Sequence, residues 1–135
     1  SPFYYILSSD YLILKPGVTE AFQILRAHKV PIVLATKQRC ISKGLVTRAQ
    51  VDDINRALEE MLGVQFAHIL VEEKAETKGA LYDKVIDLYP QVFSRHIYHF
   101  DDSEDERGEA WRAGLWSADG ADLYQSVCEV FNIKA

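Results

Sequence analysis

Apolar residues change their period several times along the chain, and each change marks an element. Phe3 to Leu7 is a continuous aromatic and β-branched run, short enough for a strand buried on both faces. Tyr11 to Leu14 is a second apolar run, stopped by Pro16-Gly17. From Val18 the spacing lengthens: Val18, Ala21, Phe22 and Leu25 recur at i, i+3, i+4 and i+7, which is one face of a helix. Val30 to Ala35 is strand-like again. A polar loop follows from Lys37 to Val46, with Gly44 inside it.

Thr47 opens the next helix. Thr47 and Gln50 have capping-box spacing, so each side chain can take a backbone N–H left free at that end. Val51, Ile54, Leu58, Met61 and Leu62 form the expected buried stripe, and Gly63 is a natural C-terminal stop. Phe66 to Val71 reads as a strand. Lys78 to Tyr89 reads as a helix through Leu81, Val85 and Leu88, ended by Pro90. His96 to Phe100 is a further strand, Glu104 to Ala113 a short helix closed by Gly114, and Leu115 to Ala118 a short strand. Asp119 is placed to cap a last helix carrying Leu123, Val127, Val130 and Phe131. Strands alternating with helices require right-handed crossovers and a parallel sheet covered on both faces. The expected architecture is a three-layer α/β/α domain with about five strands, spanning residues 1–135.

Composition narrows the function. The 135 residues suffice for one core and not for two. A net charge of −5 argues against general binding to nucleic acid or a membrane surface, although Lys37, Arg39, Lys43 and Arg48 cluster locally. That cluster is expected to be a solvated loop. No apolar run approaches the ~20 residues a membrane span needs, and no signal peptide is visible. Cys40 and Cys128, far apart and without metal-ligand spacing, suit a reducing intracellular compartment. A cytoplasmic location is expected, and an organellar matrix would fit as well.

The chemistry-bearing residues gather at predicted strand ends. Ser8-Ser9-Asp10, Thr36-Lys37-Gln38 and Asp101-Asp102 each follow an apolar run, and open α/β sheets hold ligands at that edge. Lys78 starts the helix between two of these strands. A hydroxyl, an ammonium and crowded carboxylates able to share a cation make a phosphate pocket in outline. His96 and His99 are expected on one strand, facing opposite sides, in structural roles; Trp111 and Trp116 are expected in the core.

At these positions the chain resembles the haloacid dehalogenase superfamily of phosphohydrolases. The stretch Val33-Leu34-Ala35-Thr36-Lys37-Gln38, followed by Ile41-Ser42-Lys43-Gly44-Leu45-Val46-Thr47, is similar to the second motif of the histidinol-phosphate and heptose-bisphosphate phosphatase branch. Phe100-Asp101-Asp102 with Trp111-Arg112-Ala113-Gly114 resembles the acidic motif there and in polynucleotide 3′-phosphatase domains. The resemblance implies a phosphate-binding Thr36 and a third-motif Lys78, with Lys74 as the weaker candidate for that place. It also implies a metal-binding Asp102 with Asp101 and Glu106 as companions, Asp10 as general acid/base and further metal ligand, and Mg²⁺ as the cofactor. No sizeable cap domain has room in the chain.

The first motif departs from this pattern. The family's nucleophile lies two residues before the general acid, and that position holds Ser8. A carboxylate there attacks phosphorus and also ligates Mg²⁺, so its loss removes two functions together. Tyr11 replaces the family's Gly, and the zinc-binding Cys/His loop of the heptose branch is missing. The expectation is therefore a degenerate, catalytically impaired phosphatase-like domain that keeps weak anion or Mg²⁺ binding. It would serve as a binding or structural module beside a protein partner in a larger assembly. The alternative is an active Mg²⁺-dependent hydrolase of a small phosphomonoester or a nucleic-acid 3′ phosphate.

Overall fold

The computed structural model describes residues 17–134. The expected strand Phe3–Leu7, the run Tyr11–Leu14, and the candidates Ser8 and Asp10 lie outside the described residues. The elements alternate as the periodicity predicts. They are α1 (Val18–Ala27), β1 (Val33–Lys37), α2 (Arg39–Ser42), α3 (Arg48–Leu62), β2 (His68–Glu72), α4 (Gly79–Leu88), β3 (Tyr98–Asp101), α5 (Glu104–Ala113), β4 (Trp116–Asp119) and α6 (Leu123–Val130).

The strands pair in parallel. β1 lies on β2 with Val33 opposite His68 and Lys37 opposite Glu72; β3 lies on β4 with Tyr98 opposite Trp116 and Asp101 opposite Asp119. Parallel pairing puts the C-terminal ends on one side within each pair, and Lys78, which reaches both the Ala35 carbonyl of β1 and Asp101 of β3, brings those two ends together. Residues 73–78 alone join β2 to α4.

Two groups of helices cover the strands. Val18, Ala21 and Phe22 of α1 pack with Leu58 and Leu62 of α3, with Phe66, and with Leu123 and Val127 of α6. On the other side Tyr82 of α4, Ala110 of α5 and Leu115 form a second buried cluster.

Local end signals behave as the sequence predicts. Thr47 accepts from the Gln50 backbone N–H at 3.1 Å, while the Gln50 side chain accepts from the Thr47 N–H at 2.8 Å. Gly63 closes α3 with φ +66°, a conformation costly for a residue with a Cβ. Replacing Thr47 with Ala breaks the reciprocal cap and should lower stability by about 1 kcal/mol, read from urea midpoints at constant m-value. An unchanged midpoint would mean that the cap contributes nothing.

Four expectations need correction. The strand read at Val30–Ala35 begins at Val33 and runs to Lys37, since Val30-Pro31-Ile32 is irregular. His96 belongs to a 3₁₀ turn, Ser94–His96, and not to the strand that carries His99. The Lys37–Val46 loop contains the short helix α2, which exists because Cys40, Val46 and Val51 form a small buried cluster. Met61, Leu88 and Trp111 are exposed, although the helical pattern put the first two on the buried stripe. The Arg95 guanidinium sits 4.0 Å above the Trp111 ring, so that surface Trp is held by a cation–π contact instead of the core.

Candidate functional site

β3 decides the site. Side chains alternate along a strand, so His99 and Asp101 face the same side. Asp101 is the last residue of β3 and is buried, 2% exposed; Asp102 lies just past the strand end and is exposed. From the other direction α4 begins after Lys78, its N-cap residue, which is also buried, 5% exposed.

The Lys78 ammonium donates to Asp101 Oδ2 at 2.7 Å and to the Ala35 carbonyl at 3.4 Å, and lies 3.8 Å from Glu106 Oε2. The Lys78 backbone N–H donates to both oxygens of Glu106, at 3.0 and 3.2 Å. Glu106 is buried in the first turn of α5, whose N-cap Ser103 accepts from the Glu106 N–H at 3.3 Å. Asp101 Oδ1 in turn accepts from the Ser103 N–H at 3.0 Å, and Arg107 Nη1 donates to the Asp101 carbonyl at 3.0 Å. One lysine thus ties the ends of β1 and β3 to the starts of α4 and α5. The chain after β4 turns tightly against this point: a Cβ on Gly120 would meet the Asp101 backbone at 3.3 Å.

His99 and Tyr82 form the floor. His99 Nδ1 hydrogen-bonds Ser117 Oγ at 2.8 Å, its Nε2 lies 3.9 Å from Asp101 Oδ2, and the Tyr82 ring meets it edge-on, centroids 4.8 Å apart. Burial pushes the His99 imidazole down to about 4, against the pull of Asp101, so the ring is neutral at neutral pH. Burial would raise the Asp101 carboxyl, but the Lys78 ammonium overrides it and holds the acid well below the usual carboxylate range. The Tyr82 phenol is pushed far up, by burial first and then by the charges of Glu106 and Asp101. Its hydroxyl is buried with no hydrogen-bond partner among the described residues.

The structure brings together Thr36, Lys78, Asp101 and Glu106 of the residues named from sequence. Thr36 is next to last in β1, directly after the carbonyl that Lys78 touches, and its Oγ1 accepts from Gln38 Nε2 at 3.1 Å. Lys74 is exposed on the turn after β2, which leaves Lys78 as the lysine of the site. Of the basic cluster, Lys37 donates to the Glu76 carbonyl, Arg39 pairs with the Glu76 carboxylate at 3.0 Å, and Arg48 pairs with Asp52. His99, Tyr82 and Ser117 were not singled out from the sequence as site residues. Strand parity with Asp101 was the available signal for His99; nothing local pointed to the other two.

The pair Asp101 and Glu106 does not fit a divalent cation between its two carboxylates. Asp101 and Glu106 already face an ammonium, whose charge would repel a metal between them. Among the described residues no group of three His, Cys, Asp or Glu side chains is arranged to hold a metal.

A solved structure of D,D-heptose 1,7-bisphosphate phosphatase from B. bronchiseptica, complexed with magnesium and phosphate, superposes on this chain with a TM-score of 0.83. The two share 18% identity over 95% of this chain and 89% of that one. The fold is haloacid-dehalogenase-like. No family model and no curated protein matches the chain. Identity this low carries the architecture and leaves the chemistry to the residues. Among the described residues no helix is long and apolar enough to cross a membrane.

Proposed function

We propose that the chain is a degenerate phosphatase-like domain, impaired in catalysis and used as a binding or structural module within a larger assembly. The observation that carries this reading is the state of Lys78. In the family pattern this ammonium faces substrate; here it is buried and committed to Asp101 at 2.7 Å. Ser8 at the nucleophile position points the same way, because a hydroxyl there replaces an attacking and metal-ligating carboxylate.

The reading includes a fifth strand at the continuous apolar run Phe3–Leu7, as the sequence pattern predicts. Among the described residues β1 pairs with β2 and β3 with β4. Weak Mg²⁺ binding through Asp10 and through Asp102, which is exposed, belongs to the same reading, supported by the magnesium in the neighbour's crystal.

Purified protein incubated with p-nitrophenyl phosphate and Mg²⁺ should show no turnover above the uncatalysed rate. Losing a nucleophile elsewhere costs about a million-fold in kcat. Mg²⁺-dependent hydrolysis that disappears in Asp10→Asn or Asp102→Asn would establish the rival, an active Mg²⁺-dependent phosphomonoesterase.

A further inference from the structure

We infer that Asp101 sets the ligand class of this site by supplying, from within the chain, the anion that Lys78 would otherwise take from a ligand. The inference rests on the impaired-site reading above and deepens it: the pocket excludes inorganic phosphate and simple phosphomonoesters.

An ammonium offers three N–H donors. Three protein oxygens surround that of Lys78: Asp101 Oδ2 at 2.7 Å, the Ala35 carbonyl at 3.4 Å and Glu106 Oε2 at 3.8 Å. The backbone donors an incoming oxyanion would use are engaged in the same way. The Lys78 N–H at the start of α4 goes to Glu106, and the Ser103 N–H at the start of α5 goes to Asp101. The ammonium and both backbone N–H groups thus each donate to a carboxylate oxygen, the ammonium also to the Ala35 carbonyl, with the Glu106 carboxylate facing it at ion-pair distance.

Charge adds to this. Lys78 contributes one positive charge, Asp101 and Glu106 one negative charge each, and buried His99 is neutral, so these four groups sum to −1. A dianionic phosphate reaching Lys78 would have to displace Asp101 while facing Glu106. Buried like charges repel strongly, and the Asp101–Lys78 contact is short, charge-assisted and buried. A hydroxyl or amide at position 101 would leave Lys78 with a donor to offer.

The test has two arms. In the first, wild-type protein with ¹⁵N-labelled lysine is titrated with inorganic phosphate to tens of millimolar. The Lys78 Nζ resonance should stay in place, and a saturable shift would overturn the inference. In the second, Asp101→Asn is titrated with phosphate and with tungstate. Binding should tighten by at least about tenfold relative to wild type, and Lys78→Met in the same background should abolish the gain. A folded Asp101→Asn protein with no gain would also overturn it. If that variant does not fold, the wild-type titration decides alone. Turnover by wild-type protein sinks the impaired-site reading, whereas phosphate shifting Lys78 without turnover sinks only the role given to Asp101.

Discussion

Replacing Lys78 with Met is expected to destabilise the fold by about 3–5 kcal/mol, the cost of leaving a buried charge without its partner. The substitution keeps the length and apolar stem of the side chain but removes the ammonium between Asp101 and Glu106, both nearly inaccessible to water. Two carboxylates would then share a buried space, and one of them must take a proton or find water. The double variant Lys78→Met/Asp101→Asn should recover much of the loss, because Asn at 101 needs no counter-charge and can still accept from the Ser103 N–H. Glu106 keeps its two bonds from the residue-78 backbone in either case. Urea denaturation of the wild type, both single variants and the double closes the cycle. A loss below about 1 kcal/mol for Lys78→Met would class the pair with solvent-exposed ion pairs and remove it as the organising contact of the site.

Acid should destabilise the protein in two successive windows. His99 is held down to about 4 in the fold, against 6.5 ordinarily, chiefly by burial. Between these values the unfolded chain binds a proton that the folded chain does not. Its contribution is therefore complete above pH 6.5, declines as the pH falls to about 4, and changes no further below that. A shift of this size corresponds to about 3 kcal/mol. Asp101 acts in the same sense at lower pH. Its carboxyl is depressed below 3.8 by Lys78, so its stabilising effect is present above that value and lost only at lower pH. His99→Gln, which can keep a hydrogen bond to Ser117, should flatten the stability profile between pH 6.5 and 4 and leave the lower window in place. An unaltered slope in that variant would place the titrating group elsewhere.

The helix ends were legible because capping is local. Thr47, Gln50 and Gly63 lie within the helix they bound, and Ser103 caps α5 by the same short-range rule. Strand limits were legible only to within a few residues, since an apolar run such as Val30–Ala35 does not say where pairing begins. The misread surface residues share one cause. Met61 and Leu88 satisfy the helical spacing, but they lie at the last turns of α3 and α4 and are exposed there. At the site, the acidic stretch from Asp101 to Glu106 announced itself by density. Its division of labour did not: adjacent Asp101 and Asp102 look interchangeable as a sequence, and the end of β3 separates them into a buried and an exposed acid.

The order of strands and helices, their parallel connection and the polar residues at strand ends were set by periodicity and end signals that act over a few residues. The partnership of Lys78 with Asp101, 23 positions apart, was decided by the tertiary structure alone. A charge declares its type in the sequence, but whether it meets water, a ligand or another buried charge depends on which distant backbone the fold lays beside it.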